Sequence, residues 1–277
     1  MSKTYVLWHG GCPDGFGAAY AAWRRLGSEA EYVPVRYGED PPAMESGSRV
    51  YILDFSYPRD VLLELNEKHV WLKVLDHHVT AEEDLEGLPF AEFDMDHSGA
   101  VMAWNHFCAG WPVPKLLRYV EDRDLWRWAL PHSREINAAI ASYPQDFATW
   151  DGITRLCVNE VLRSEGRAIL RAQKKAVDRI CAGATLIPLE TGDPLGALVN
   201  TPAYVSEVGE ELLKRHEEAE YAVMYHITSD GGWSFSLRSR GDFDVSKLAR
   251  RYGGGGHKAA AGFRKTPHGM LALEATP

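Results

Sequence analysis

The chain has 277 residues, enough for one large or two ordinary domains, and its composition of 45% hydrophobic and 25% charged residues is that of a globular protein. It has no apolar run long enough to cross a bilayer and no signal-peptide pattern at its start, so we expect a cytoplasmic protein with no membrane partner. The formal net charge of −9 argues against general nucleic-acid affinity, because nucleic-acid-binding proteins are usually basic overall. Cysteines at positions 12, 108, 157 and 181 form no CxxC pair, which argues against a zinc ribbon or a disulfide framework and for a reducing compartment.

The first third of the chain alternates strand and helix patterns. Two amphipathic segments predict helices at 15–27 and 58–69. Near-continuous apolar runs predict strands at 4–9, 31–37, 49–55 and 70–78. Apolar strands separated by helices are typical of a buried parallel sheet.

In the rest of the chain, the pattern of predicted elements changes near residue 185, from helices to mixed strands and helices. Helical patterns cover 98–108, 114–126, 133–143 and most of 148–183. A strand at 194–202, a helix at 206–215, a hairpin at 221–239 and a short helix near 244–252 follow. We therefore predict an α/β fold, with a parallel-sheet catalytic domain at 1–164, a linker helix at 165–185 and a smaller α+β substrate-binding domain at 186–277.

Polar side chains lie at the ends of three of the predicted strands. His9 ends the first, Asp54 follows the apolar run Tyr51-Ile52-Leu53 of the third, and Asp76-His77-His78 ends the fourth. The carboxyl ends of parallel strands form the ligand crevice of such sheets. Converging carboxylates need a cation, because like charges so close cannot otherwise all ionise. Aspartate and histidine without paired thiolates suit Mn²⁺ or a similar ion better than structural zinc.

These segments resemble the successive motifs of the DHH phosphoesterase superfamily. The motifs are His9 with Cys12-Pro13-Asp14-Gly15, then Asp54-Phe55-Ser56, Asp76-His77-His78, and Gly253-Gly254-Gly255-Gly256-His257. The first three are similar to motifs of the catalytic domain, and the last is similar to the signature of its associated C-terminal domain. The resemblance implies a metal-dependent, usually manganese-dependent, phosphoesterase. Two ions about 3.5–4 Å apart would activate a water and offset the charge that builds on the phosphoryl oxygens.

Carried over position by position, the resemblance implies a set of metal ligands in which Asp54 reaches both ions. The implied ligands are His9, Asp14, Asp54, Asp76 and His77. Asp54, His77 and His78 are implied as catalytic residues, with His78 contacting the scissile phosphate or a carboxylate.

A further metal-ligating aspartate is implied on a helix after the DHH segment. Asp122 is the best local match, and Asp124, on the same predicted helix, is its rival. A surface pair of salt bridges with Arg123 and Arg127 remains the alternative.

Cys12 departs from the family pattern, which usually has aspartate at this position. As a thiolate it would add a ligand and favour Zn²⁺, Fe²⁺ or Co²⁺. As a neutral thiol it would withdraw a ligand, and an inert buried cysteine also remains open.

The basic region of the second domain predicts a site for a small polyanion. Residues 233–265 carry eight Lys or Arg against two acids, an excess of six positive charges. Arg238 and Arg240 are two apart on a predicted strand, so both can face one phosphate. The glycines at 254–256 let the backbone approach a ligand closely, and His257 adds a charge or a hydrogen bond. The predicted substrate-binding residues are Arg238, Arg240, Gly254, Gly255, Gly256 and His257.

The combined expectation is a phosphoesterase that cleaves short single-stranded oligonucleotides or linear dinucleotides to mononucleotides. A phosphatase of 3′-phosphoadenosine 5′-phosphate and a cyclic-dinucleotide phosphodiesterase remain alternatives. From another class, a nucleotide sensor that lost turnover through Cys12 is also open. No protein partner is implied, and homodimer formation is left open.

Overall fold

The computed structural model describes residues 2–156 and 160–266 of the chain. The chain divides into two compact units, Met1–Leu170 and Arg171–Pro277. The division falls inside one long helix, α8 (Val161–Cys181), which overlaps the predicted linker at 165–185. Cys157 lies outside the described residues, whereas Cys12, Cys108 and Cys181 are free thiols.

The first unit is built on a parallel sheet whose described strands follow the order β2-β1-β3-β4-β5. The connection from β1 leads to β2 on one side of it, and the connection from β2 leads to β3 on the other side. This change of direction creates a topological switch point between the carboxyl ends of β1 and β3. The strands are β1 (Thr4–His9), β2 (Ala30–Val35), β3 (Arg49–Leu53), β4 (Trp71–Asp76) and β5 (Ala91–Phe93).

Helices cover both faces of this sheet. Along β1, Val6 and Trp8 pack into one apolar cluster, while Tyr5 and Leu7 pack into a second. Successive strand residues point to opposite faces, so the apolar run in β1 serves two cores. The helices are α1 (Pro13–Leu26), α2 (Arg59–Lys68), α3 (Val79–Asp84), α4 (Gly99–Phe107), α5 (Lys115–Asp124), α6 (Ser133–Ser142) and α7 (Phe147–Arg155), and a single 3-10 turn spans Gly27–Glu29.

Helix α5 ends two residues before the predicted end at 126. The backbone of Trp126 has φ +53°, a left-handed value that a right-handed helix cannot continue through. Trp128 and His132 have φ of +52° and +60° in the same connection. This strained loop separates α5 from α6.

The described part of the second unit is a mixed sheet with strand order β10-β11-β9-β8-β7-β6. Only the β7–β8 pairing among these strands is parallel. One face packs on a helix through Leu212 and Met224, and the other through Leu248 and Leu237. The elements are β6 (Thr185–Ile187), β7 (Gly196–Asn200), α9 (Val205–Arg215), β8 (Tyr221–Ile227), β9 (Trp233–Ser239), α10 (Val245–Arg250), β10 (Gly255–His257) and β11 (Ala260–Lys265).

The fold class predicted from the sequence is confirmed. A parallel α/β sheet comes first in the chain and a mixed α+β sheet second. Within 2–156 and 160–266, no helix is long and apolar enough to span a membrane.

Candidate metal centre

Three neighbouring strands deliver the candidate ligands to one edge of the first sheet. His9 is the last residue of β1, Asp54 follows β3 directly, and Asp76 is the last residue of β4. Because β1, β3 and β4 are adjacent and parallel, their carboxyl ends meet at the switch point. The sequence prediction that these segments converge therefore holds.

Asp54 is held in an unusual backbone conformation at the centre of this edge. Its φ is +56°, in the left-handed region that aspartate tolerates better than most residues. The residue is only 2% exposed, and its amide donates to the carbonyl of Leu75 at 2.9 Å. The left-handed turn thus fixes the position of the Asp54 carboxylate.

The start of α4 packs directly against this turn. A Cβ added to Gly99 would lie 2.5 Å from the Cβ of Asp54, far closer than side chains can approach. The next residue, Ala100, donates its amide to Oδ1 of Asp14 at 3.2 Å. The helix start therefore positions two of the candidate ligands.

His77 lies among three carboxylates. Its Nε2 is 3.1 Å from Asp54 Oδ1, 3.4 Å from Asp124 Oδ2 and 3.7 Å from Asp14 Oδ2. Although burial acts to lower the pKa of His77, these carboxylates raise it to about 10. A proton on His77 therefore offsets part of the negative charge, and a divalent cation would compete with that proton.

Cys12 lies beside His9 and Asp54. Its Sγ is 3.7 Å from His9 Nδ1 and 3.4 Å from Asp54 Oδ2, and it also accepts the amide of Gly15 at 3.1 Å as the N-cap of α1. Burial and the carboxylates of Asp54 and Asp14 raise the pKa of the Cys12 thiol well above its ordinary value. The geometry suits a ligand, and an unliganded Cys12 is a neutral thiol that caps the helix.

Asp76 orients the DHH segment. Its Oδ1 accepts the amide of His77 at 2.8 Å and lies 2.6 Å from His78 Nδ1, while its Oδ2 accepts the hydroxyl of Ser56 at 2.6 Å. A carboxylate at one ring nitrogen fixes the orientation and tautomer of a histidine. Burial acts to lower the pKa of His78, but Asp76 raises it overall.

Candidate ligand atoms in the first unit form three groups, each with its atoms within 4.8 Å of one another. Asp54 belongs to two of the groups and lies 3.1 Å from His77 of the third. The groups are His9, Cys12 and Asp54; Asp54, Asp76 and His78; and Asp14, His77 and Asp124. Among the described residues, Asp54 thus connects all three groups.

The chemistry of this cluster fits divalent cations. Burial and the charges of Asp124 and Asp54 raise the pKa of the Asp14 carboxyl well above its ordinary value. Oδ2 of Asp14 is buried and has no hydrogen-bond partner among the described residues. In the same part of the chain, no Lys or Arg lies within 4.0 Å of the carboxylates of Asp14, Asp54, Asp76 and Asp124. Oxygen-rich clusters with this charge suit Mn²⁺ or a similar ion.

The preference for Asp122 over Asp124 as a ligand is corrected by the geometry. Asp122 is 4% exposed, and its carboxylate accepts the amides of Ala129 at 2.8 Å and Leu130 at 3.3 Å. Two residues apart on a helix lie on nearly opposite sides, so Asp124 faces His77 while Asp122 anchors the strained loop. Neither is salt-bridged to Arg123 or Arg127 within the described chain.

Substitution of the two aspartates is expected to separate these roles. Asp122→Asn presents an amide donor to the backbone donor of Leu130 and should lower the free energy of unfolding by about 1.5–3 kcal/mol, without changing the metal content. Asp124→Asn should lower the Mn²⁺ stoichiometry with little loss of stability. Urea unfolding and elemental analysis of both variants measure the two effects, and reduced metal content in Asp122→Asn alone would reverse the assignment.

Both predicted phosphate-binding arginines are engaged by α9 in the second unit. Arg238 donates to Ser206 Oγ at 2.8 Å, and Arg240 donates to the carbonyl of Leu213 at 2.6 Å and to that of Glu217. Arg240 thereby satisfies a carbonyl in the last turn of the helix, where a cation is favourable. A role for Arg238 and Arg240 in binding phosphate stays a prediction.

The glycine run packs tightly against β11. A Cβ on Gly254 would lie 2.1 Å from the carbonyl oxygen of Gly262, and Gly256 has φ +135°. Close packing against the neighbouring strand therefore explains why Gly254 and Gly256 are glycines. The sequence alone had suggested that a ligand required them. Gly255 and His257 belong to β10, with His257 opposite Ala260, and their contact with substrate stays a prediction.

Tyr37 is a residue of this site that the sequence analysis missed. It follows β2 by two residues, so it reaches the same sheet edge as His9. Its ring centroid is 5.4 Å from that of His9 and 6.1 Å from that of His78. The available signal was the position of Tyr37 just after a predicted strand. It was missed because an aromatic side chain in a polar turn does not resemble a metal ligand.

Known proteins share sequence similarity with this chain. The profile of the DHHA1 domain matches residues 198–270, part of which lies outside the described residues. An uncharacterized protein of Acanthamoeba polyphaga mimivirus is 29% identical over 93% of this chain, and the chain spans 66% of that relative. Oligoribonuclease NrnB of Bacillus subtilis is 42% identical over 66 residues, which are 24% of this chain and 16% of NrnB.

Solved structures share the fold. A DHH domain from a member of a ribosomal-protein family has a TM-score of 0.61 at 12% identity, over 99% of this chain and 85% of that one. The pGpG-specific phosphodiesterase PggH of Vibrio cholerae has a TM-score of 0.50 at 14% identity, over 99% and 96% of the two chains. The DHHA1 match in the second unit, the NrnB relative and the shared fold support assignment of the chain to the DHH phosphoesterase superfamily with a DHHA1 domain, in agreement with the ordered motifs of the first unit.

Proposed function

We propose that the chain is a divalent-metal-dependent phosphodiesterase that hydrolyses short oligonucleotides or linear dinucleotides to mononucleotides. The central observation is Asp54, a buried carboxylate that connects all three groups of candidate ligands at one sheet edge. Family membership supports a hydrolase of phosphate esters. The name of the Bacillus relative, an oligoribonuclease, supports a nucleotide substrate.

One set of residues would hold the cations, and His78 would contact the phosphate. His9, Asp14, Asp54, Asp76, His77 and Asp124 would hold two ions, with Cys12 as a further donor. Such ions, when bound, supply an activated water and offset charge on the phosphoryl oxygens. Asp76 holds the ring of His78 and favours its protonated form, so His78 can donate a hydrogen bond to a phosphate oxygen.

Release of nucleoside monophosphate and of inorganic phosphate tests the proposal. The substrates are a 5′-phosphorylated dinucleotide, 3′-phosphoadenosine 5′-phosphate and a cyclic dinucleotide, each with Mn²⁺ and with EDTA. We expect Mn²⁺-dependent release of mononucleotide from the linear dinucleotide, and comparison with Zn²⁺, Fe²⁺ and Co²⁺ identifies the preferred ion.

The other outcomes identify the alternatives. Preferred hydrolysis of 3′-phosphoadenosine 5′-phosphate or of the cyclic dinucleotide would replace the proposed substrate. Binding of nucleotide without any turnover would instead support a sensor, and gain of turnover in Cys12→Asp would then trace the loss to Cys12.

A further inference from the structure

Tyr37 presents an aromatic surface beside the candidate metal ligands. Its ring centroid is 4.5 Å from that of Phe55, 5.4 Å from that of His9 and 6.1 Å from that of His78, yet the residue is 44% exposed. An aromatic ring that only supported the two histidines would gain stability from being covered. The ring therefore offers an exposed face to a ligand bound beside His9 and His78.

The Tyr37 ring has a rigid support. Phe55 is 1% exposed, follows Asp54 in the chain and also contacts Tyr57 at 4.8 Å between centroids. Contact with a buried ring restricts the few rotamers that Tyr37 has, so ordering it on a ligand costs little entropy. Its position relative to Asp54 is thereby fixed by a neighbouring residue of the same turn.

Resting on the proposed function, we propose that Tyr37 stacks on the base of a nucleotide next to the scissile phosphate and thereby selects nucleotides over other phosphate diesters. The ring lies 5.4 Å from the ring of His9, a candidate metal ligand, and 6.1 Å from that of His78, which would contact the phosphate, so the base of a nucleotide held there is within reach of Tyr37. Stacking on an aromatic ring tolerates every base, because each base has a π-face. Tyr37 thus confers preference for a nucleotide without preference for a sequence.

A double-mutant cycle tests this role by removing the Tyr37 ring and a base of the substrate, separately and together. Wild type, Tyr37→Ala and Tyr37→Phe are compared on a 5′-phosphorylated dinucleotide and on analogues that carry an abasic sugar at the first or second position. Tyr37→Ala should reduce kcat/KM for the intact dinucleotide by about 5- to 150-fold, the range expected from stacking on one base. The loss should vanish with one of the two abasic analogues, while Tyr37→Phe should retain activity.

Two exposed tryptophans provide comparisons. Trp126, 37% exposed and two residues after Asp124, is the rival stacking surface, whereas Trp111, 67% exposed, follows the far end of α4, roughly 12 Å from Gly99. Trp111→Ala should leave every substrate unaffected. Coupling of base removal to Trp126→Ala in place of Tyr37→Ala would overturn the assignment.

Binding measurements keep the two proposals distinguishable. The affinity of each variant for the dinucleotide and its abasic analogues is measured with Ca²⁺ in place of Mn²⁺. Equal loss by Tyr37→Ala for intact and abasic ligands would mean that the ring only supports the histidines, even in a protein that hydrolyses dinucleotides. A wild type that binds without turnover but shows the coupling would retain Tyr37 as the stacking residue and overturn the catalytic proposal alone. Absence of both binding and hydrolysis would overturn both.

Discussion

Replacement of Asp54 by asparagine is expected to lower kcat/KM for metal-dependent hydrolysis by about 1,000-fold or more. The carboxylate belongs to two groups of candidate ligands and lies 3.1 Å from His77 of the third. Although burial acts to raise it, His77 and His9 hold the pKa of Asp54 well below its ordinary value, so the side chain is an anion. On the proposed function, removing one charge that two cations would share costs several kcal/mol of transition-state stabilisation, and about 1.4 kcal/mol is a factor of ten.

Activity and bound Mn²⁺ are measured together on purified Asp54→Asn. Asp60→Asn is the matched control, because Asp60 is exposed in the first turn of α2 and contacts none of the candidate ligands. Its loss should cost only the small interaction with the helix dipole, about 0.3–1 kcal/mol. Retention of more than a tenth of wild-type activity by Asp54→Asn would contradict the role of Asp54.

Substitution of Gly99 by alanine is expected to lower activity by about 100-fold although the residue contacts no substrate. The new Cβ would lie 2.5 Å from the Cβ of Asp54 and 2.8 Å from its Oδ1, so the carboxylate must move. Overpacking of this kind costs about 1–3 kcal/mol of stability, which leaves a domain of this size folded. A displacement of about 1 Å at a catalytic group is sufficient for a hundredfold loss.

Gly152→Ala is the matched control. Gly152 is in the middle of α7, and a Cβ there meets nothing within 4 Å. This substitution should raise the free energy of unfolding by about 0.5–1 kcal/mol through helix propensity alone, with unchanged activity. Adding Gly99→Ala to Asp54→Asn should cause no further loss of activity. A further loss would mean that Gly99 acts on another residue.

The fold and the centre of the site could be predicted because they depend on short-range pattern. Apolar strands alternating with helices lead to a parallel sheet, and that sheet brings the residues after its strands to one edge. His9 and Asp76 end their strands and Asp54 follows its strand directly, so topology alone unites them.

Other features depend on contacts that no local pattern encodes. Asp122 and Asp124 differ by a rotation of about 200° on a helix, and the sequence does not show which side meets the sheet edge. Gly99 and Asp54 meet across 45 residues through steric exclusion, which leaves no periodic signal. Arg238 lies on the face of its sheet that α9 covers. Strand alternation predicts which residues share a face, but it does not predict which element covers that face.

The contact between Gly99 and Asp54 also constrains how this sequence can diverge. A descendant that relies on the Asp54 carboxylate is expected to keep a hydrogen atom as the side chain at position 99, since the space beside the left-handed turn is already filled. Where the aspartate is no longer needed, a shift of this turn by a Cβ at position 99 costs stability alone. A side chain at that position should therefore mark lineages in which the proposed catalysis is weakened or has ended, even where the histidines of the DHH segment persist.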